Sequence, residues 1–239
     1  YYARAVDSTM LVAIGTIASA QSKGTEATAR AVTHLLNYCA THPNAVLRYY
    51  SSDMHLLIDG DASNLSEPKA KSRAGGHHYL STAPKDPAKT LVPPPPSGAI
   101  HTPSNIMKMV VSSAAEAEVG ATFLNGKDGA MLRTTLHDMG HPQPATPIKT
   151  DNSCAAGIAN DSIRQRRSKA IDMRFYWIKD RVAQGQFIVY WRPGPDNLAD
   201  YFTNHSPASH HRLIRSPPLH HPSRPTTSLL PTHTPPRGH

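Results

Sequence analysis

The spacing of apolar residues changes along the chain, and each spacing predicts a different kind of element. An apolar stripe at helical intervals, preceded by Thr25 as a capping residue, predicts a helix over residues 25–41. Alternating or continuous apolar runs predict strands over residues 46–50, 54–58 and 77–80. The amino-terminal part is therefore expected to hold a helix followed by a strand meander.

After residue 98 the pattern alternates between helical and strand-like spacing. The predicted elements are helices over residues 112–124, 130–139, 153–159, 168–184 and 198–203, and strands over residues 146–150 and 186–191. Strands followed by alternating helices and strands predict the α/β class (α+β mixed), with a mixed sheet covered by helices. Residues 81–98 contain four consecutive prolines and are expected to form an exposed loop.

Composition and charge restrict the classes of function. The chain has 239 residues and a formal net charge of +8, which favours a polyanionic partner such as nucleic acid. No apolar run is long enough to predict a membrane span, and two cysteines are too few for a disulfide framework. The chain begins at Tyr1 without a methionine, so we expect a piece of a longer protein. From residue 205 onward the composition predicts a disordered Pro/His-rich tail.

Four acidic residues stand where the predicted elements can bring them together. Asp61 and Asp151 follow strand-like runs, whereas Glu118 and Asp200 lie on predicted helices. In a basic chain, four converging carboxylates would repel one another unless divalent cations lay between them, and such oxygen ligands suit magnesium or manganese. A paired site of this kind predicts phosphodiester chemistry. Each residue alone has an ordinary alternative, such as a turn for Asp61 or a helix cap for Asp151.

Two nearby acidic residues are alternative candidates for the positions of Asp61 and Glu118 in the site. Asp59 precedes Asp61 by two residues, and Glu116 precedes Glu118 by two. We interpret Glu116 as a solvated surface residue, whereas Asp59 could serve either as a turn residue or in the site.

A basic cluster precedes the longest predicted helix. It consists of Arg164, Arg166, Arg167 and Lys169. Phosphate contacts from such a cluster would hold a nucleic-acid duplex without reading its sequence, and the alternative is a solvated helix face. We favour nucleic-acid binding for this cluster.

Six phrases of the sequence resemble the carboxyl end of the polymerase polyprotein of copia-type LTR retrotransposons. They are DGDASNLSE, SRAGGHHYL, SSAAEAEVGA, IKTDNSCAAGIAND, RQRRSKAIDMRFYWIKD and PDNLADYFTN. The resemblance implies a remnant of the reverse transcriptase thumb or connection over residues 1–50, an RNase H-like domain over residues 51–204, and the tail over residues 205–239. The RNase H-like fold that it implies is a five-stranded mixed sheet flanked by helices.

The resemblance also implies an activity. Matched by motif, the catalytic and metal-binding carboxylates of RNase H correspond to Asp61, Glu118, Asp151 and Asp200. The implied reaction is hydrolysis of the RNA strand of an RNA–DNA hybrid with two Mg²⁺ ions, or with Mn²⁺. The implied partners are the hybrid and the rest of the polymerase polyprotein, with no membrane and no small-molecule cofactor. An expressed element of this kind is expected in a cytoplasmic virus-like particle.

Other functions can be weighed against this one. A retroviral-type integrase needs a final glutamate, and Glu118 is the last glutamate in the chain, so an ordinary integrase core is excluded. Val119 and Asn204 depart from the family pattern, which leaves open a catalytically silent nucleic-acid-binding remnant of a decayed element, or a scaffold segment of the polyprotein. Because random drift would not spare all four carboxylates, we expect an active ribonuclease H.

Overall fold

The computed structural model describes residues 1–90, 97–162, 172–194, 197–207, 209 and 211. Its helices are α1 (Tyr2–Ala5), α2 (Leu11–Ser19), α3 (Glu26–Thr41), α4 (Ala114–Asp138), α5 (Ser153–Ala159) and α6 (Asp172–Ala183), with 3₁₀ turns at Ser8–Met10, Gln21–Lys23 and Leu198–Phe202. Its strands are β1 (His55–Glu67), β2 (Lys71–Ser81), β3 (Ala99–His101), β4 (Ser104–Ile106), β5 (Thr146–Thr150) and β6 (Phe187–Trp191).

The strands form one mixed sheet in the order β3-β2-β1-β5-β6, with β4 also paired to β2. β1 runs antiparallel to β2 and parallel to β5, and β6 runs parallel to β5. The predicted mixed sheet flanked by helices is confirmed, and within the described residues it has six strands where five were expected. The position beside β2 is divided between β3 and β4 because Pro103, which lies between them, has no N–H to donate to a ladder.

Two predictions about individual elements are wrong. Residues 46–50 form no strand, and this segment is held instead by the Gly98 N–H, which donates to the Arg48 carbonyl at 2.8 Å. The helices predicted over residues 112–124 and 130–139 are one continuous helix, α4. Glycines within α4 face the core, where their lack of a side chain allows close packing that outweighs their low helix propensity.

One face of the sheet packs against α4, α5 and α6. The buried core there consists of Leu56, Ile58, Leu136, Ile148, Ala156, Ala159, Ile178, Phe187 and Val189. Alternate residues of a strand point to opposite faces, so Asp59 and Asp61 lie on the face opposite Ile58. The 3₁₀ turn at Leu198–Phe202, called the 3₁₀ turn from here on, covers that second face. Its Phe202 ring stacks parallel to the His77 ring, with ring centroids 6.2 Å apart.

The amino-terminal helices contact the sheet at a buried arginine. Arg73 of β2 is fully buried, and its Nε lies 2.7 Å from the Glu67 carboxylate. A Cβ atom at Gly15 of α2 would lie 2.8 Å from the Arg73 guanidinium, so α2 packs directly on this ion pair. Further along, α3 confirms the predicted helix and its cap, since the Thr25 hydroxyl accepts from the Thr28 backbone N–H at 3.3 Å.

The close approach of α4 to the sheet depends on glycines in β1 and β2. The Asn125 side-chain amide donates to the Gly75 carbonyl at 2.9 Å, and its Oδ1 accepts from His78 Nε2 at 2.8 Å. A Cβ atom at Gly60 would lie 3.2 Å from Asn125, and one at Gly76 would overlap the Asn125 oxygen. These glycines therefore set the distance between α4 and β1.

We predict that Gly76→Ala destabilises the fold, because the added methyl group overlaps Asn125 and would lie 2.9 Å from Pro103. Overpacking of this kind costs about 1–3 kcal/mol, which urea unfolding would register as a lower midpoint. Gly24→Ala is the matched control, since Gly24 has a negative φ and nothing lies within 4 Å of the point where its methyl group would stand. Equal midpoints for the two variants would contradict the close-packing interpretation.

Candidate active site

Two of the predicted carboxylates are almost completely buried where α4 meets the sheet. Asp61 lies within β1 and is 4% exposed, and Glu118 lies in the second turn of α4 and is 5% exposed. The Glu118 carboxylate accepts from the Ala62 backbone N–H at 2.9 Å and from the Thr150 hydroxyl at 3.1 Å. One side chain thus joins α4, β1 and β5.

The other two predicted carboxylates are more open. Asp151 is exposed and directly follows β5, while Asp200 is half-buried in the 3₁₀ turn. The Asp200 carboxylate accepts from the Asn204 side-chain amide at 3.0 Å. The Thr203 hydroxyl donates to the Asp61 carboxylate, so the end of the turn is tied to β1 at a site residue.

Three of the four carboxylates converge on one point. Asp61, Glu118 and Asp151 each offer a carboxylate oxygen, and these oxygens lie within 4.8 Å of one another. Asp200 is not part of that trio, but its charge acts on both Asp61 and Asp151. The fold therefore gathers three of the residues selected from the sequence and places the fourth beside them.

Burial and mutual repulsion favour the protonated forms of these groups. Burial, followed by the charges of Asp200 and Asp151, raises the pKa of Asp61 to about 7, although the Thr203 hydrogen bond acts in the opposite direction. Burial, followed by the charges of Asp61 and Asp151, raises the pKa of Glu118 to about 9. Burial and then the charge of Asp200 raise the pKa of Asp151 as well. The cluster therefore attracts either protons or a cation.

The chemistry of the donor atoms determines which cation fits. The three converging side chains offer only carboxylate oxygens, and hard oxygen donors suit magnesium, manganese or calcium. A divalent cation would replace repulsion among the carboxylates by attraction, and the low dielectric of a buried site strengthens that attraction. The residues therefore fit a divalent metal cofactor.

The two alternative acidic residues, Asp59 and Glu116, have partners outside the carboxylate cluster. Asp59 forms a buried ion pair with Lys149, with 2.7 Å between Oδ2 and Nζ and side-chain exposures of 3% and 7%. Glu116 accepts from both the backbone N–H and the hydroxyl of Ser112 at 2.7 Å, which stabilises the start of α4. Glu118 and Asp61, rather than these neighbours, supply the cluster.

Sequence reasoning missed the polar groups that hold the carboxylates in place. Besides the hydroxyls of Thr150 and Thr203, the Asn197 side-chain amide donates to the Gly60 carbonyl at 2.9 Å and so fastens the 3₁₀ turn to β1. A signal for Asn197 was present, because an asparagine before a short helix is a typical cap, and its Oδ1 accepts from the Ala199 N–H at 3.2 Å. The hydroxyl contacts of Thr150 and Thr203 join residues that are far apart in the sequence, so no local sequence pattern predicts them.

Several predicted features lie outside the described residues. They are the basic cluster of Arg164, Arg166, Arg167 and Lys169, the proline run at 93–96, and the tail beyond residue 211. Their proposed roles remain predictions. None of the helices in the described part of the chain has both the length and the apolar character needed to cross a membrane.

No protein-family model matches the chain. Similar solved structures include LC11-RNase H1 from compost, with 14% identity, a TM-score of 0.45, and coverage of 63% of this chain and 94% of that chain. The N-terminal RNase H domain of a Mycobacterium tuberculosis protein gives 13% identity and a TM-score of 0.42, covering 63% of this chain and 91% of that chain. The fold is defined by the strand order and pairing described above.

A curated relative shows similarity at the level of sequence. The retrovirus-related Pol polyprotein from transposon TNT 1-94 of Nicotiana tabacum is 30% identical over 118 residues, which is 49% of this chain. The chain spans 9% of the length of that relative, so the activities of the whole polyprotein do not transfer to it directly. The predicted resemblance is nevertheless confirmed: over about half of its length, this chain is similar to a retrotransposon Pol polyprotein.

Proposed function

We propose that this chain is a metal-dependent endonuclease that hydrolyses the RNA strand of RNA–DNA hybrids during retrotransposon reverse transcription. The observation that carries the proposal is the convergence of Asp61, Glu118 and Asp151 within 4.8 Å. Asp200 stands beside them, which completes the Asp-Glu-Asp-Asp order on a mixed sheet. The sequence similarity to a retrotransposon Pol polyprotein supports the same assignment.

The four carboxylates are the groups that would hold two magnesium ions. When bound, the ions supply an activated water and stabilise the leaving 3′-oxygen. The chain itself supplies fixed ligands: Glu118 is held at both oxygens by Ala62 and Thr150, and Asp61 is held by Thr203. Ligands fixed by their neighbours lose little freedom when a cation binds, which favours a defined metal geometry.

The proposed substrate follows from charge and from the reaction. A net charge of +8 favours a polyanionic duplex held through its phosphates. A nuclease that must cut only the RNA strand needs little sequence reading, since the 2′-hydroxyl and the shape of the duplex distinguish RNA from DNA. A hybrid is therefore the substrate that we propose.

One observation favours a second candidate, a catalytically silent remnant that binds nucleic acid without cleaving it. Asn204 stands where the family pattern has lysine, and its amide occupies Oδ1 of Asp200 at 3.0 Å. This departure from the family pattern touches the fourth carboxylate, which stands beside the three that converge. The two candidates differ only in whether the bound hybrid is cut.

We predict that the wild-type chain cleaves the RNA of a labelled hybrid in magnesium and that Asp61→Asn and Asp151→Asn lose this activity. Each substitution removes a negative ligand at the point of convergence, so the rate should fall about a hundredfold or more. Asp138→Asn is the matched control, because it makes the same chemical change at an exposed residue with 74% side-chain exposure.

Two results would contradict the nuclease proposal. One is a wild type that binds the hybrid but never cuts it, in magnesium or manganese, which would favour the silent remnant. The other is cleavage that survives in both site variants, which would place the active site elsewhere.

We also predict that metal-free protein loses stability as the pH rises. The pKa values of Asp61 (about 7) and Glu118 (about 9) lie above their ordinary values of 3.8 and 4.5. Their contribution to the free energy of folding is therefore fully present below about pH 4 and is lost as the pH rises through the folded-state values. In a chelator, the melting temperature should fall between about pH 5 and about pH 9.

Magnesium should reverse this loss at high pH, because a cation binds the ionised native cluster and not the unfolded chain. Asp61→Asn should flatten the metal-free pH dependence, since it removes one buried charge, whereas Asp138→Asn should leave the slope unchanged. Melting curves with and without magnesium measure both effects. If the melting temperature of the metal-free protein changes with pH equally in the wild type and in Asp61→Asn, ionisation of the cluster is not the cause of the loss of stability.

A further inference from the structure

Trp191 lies at the border of the candidate site with part of its ring in solvent. It is the last residue of β6, and it pairs with Thr150, the residue before Asp151. Its indole Nε1 donates to the Asp151 backbone carbonyl at 2.9 Å. The residue nevertheless remains 48% exposed. Because the N–H already has a partner, the ring offers a ligand apolar surface rather than a free donor.

The position of Trp191 continues a buried row of side chains. Phe187, Val189 and Trp191 alternate along β6 and share one face of the sheet, and the first two are buried in the core. At Trp191 this row passes the end of the core and reaches solvent beside Asp151. A large ring is thus held at the site by the strand and by its hydrogen bond, without being covered.

The neighbouring cation, Arg192, holds backbone segments together at this corner. The Arg192 guanidinium donates to the backbone carbonyls of Pro87 (3.1 Å) and Thr90, and the Arg192 N–H donates to the Thr150 carbonyl at 3.0 Å. Arg192 therefore fastens the loop after β2 to the end of β6. Among the described residues at this corner, the indole is an apolar group that stays open to a ligand.

We propose that the exposed apolar surface of the Trp191 ring binds a nucleotide of the hybrid beside the cleaved phosphate, by packing against its sugar. The proposal rests on the proposed function for the identity of the ligand. In a duplex the base faces are covered by neighbouring bases, whereas the sugars of both strands are open to side chains in the wide, shallow minor groove. Since the same indole anchors the backbone of Asp151, nucleotide binding and placement of that carboxylate are coupled through one side chain.

Fluorescence tests the contact directly, because the chain has two tryptophans. Trp177 packs edge-to-face against Phe123 with ring centroids 5.4 Å apart, so Trp177→Phe leaves Trp191 as the sole indole. Combined with Asp61→Asn to prevent cleavage, this variant is titrated with an RNA–DNA hybrid. Quenching that saturates with the hybrid is expected. Unchanged emission, while anisotropy of the labelled hybrid reports binding, would overturn the proposal.

Kinetics of two Trp191 variants separate the ring from its hydrogen bond. Trp191→Leu removes the ring and should raise KM about tenfold, as expected for the loss of one apolar contact. Trp191→Phe keeps a ring but loses the N–H to Asp151, so it should lower kcat with a smaller change in KM. Tyr49→Leu is the matched control, since Tyr49 is 57% exposed and contacts β3 at the opposite edge of the sheet.

The outcomes distinguish this proposal from the proposed function. A cleaving wild type whose KM is unchanged in Trp191→Leu, or shifts equally in Tyr49→Leu, would overturn the nucleotide contact and leave the nuclease intact. A chain that binds the hybrid and quenches Trp191 emission without cutting would support the contact and remove the nuclease. A general loss of stability in Trp191→Leu would lower kcat without raising KM, and that too would count against the contact.

Discussion

The separation between α4 and the sheet is the constraint on which the site depends. Asn125 fits between β1 and β2 only because Gly60 and Gly76 have no side chains. Glu118 lies two helical turns before Asn125 on the same helix. At this separation its carboxylate reaches the Ala62 N–H of β1 and meets Asp61. Packing at two glycines, one of which directly precedes Asp61, thus decides whether the cluster forms.

The cluster so formed opposes folding unless it is neutralised. Burial, and after it the repulsion between neighbouring carboxylates, raises the pKa values of Asp61 and Glu118. The neighbouring pair of Asp59 and Lys149 shows the ordinary solution, in which a buried acid receives a basic partner. A site that leaves its acids with each other is suited to take up cations, which favours the proposed metal-dependent nuclease over a scaffold.

The sequence predicts the bounds of an element correctly where apolar spacing within that segment defines them. β5 and α5 have the predicted bounds, and they place Asp151 at the junction where a strand ends and a helix begins. The continuity of α4 was not predictable, because its internal glycines indicate a break unless the surrounding core is known. Asp61 was expected at a strand end but lies inside β1, since the ladder continues through its pairing with Gly75. The Thr203 contact joins residues 142 positions apart, and no local pattern reports such a contact.

A crystal of the chain grown with manganese and an RNA–DNA hybrid would test the central claim most directly. Anomalous scattering locates manganese independently of any assumption about its ligands. We expect two peaks, one among the carboxylates of Asp61, Glu118 and Asp151 and the other reached by Asp200, both next to a phosphate of the RNA strand. A bound hybrid with no manganese at these carboxylates, or with manganese held by other residues, would contradict the assignment of the site.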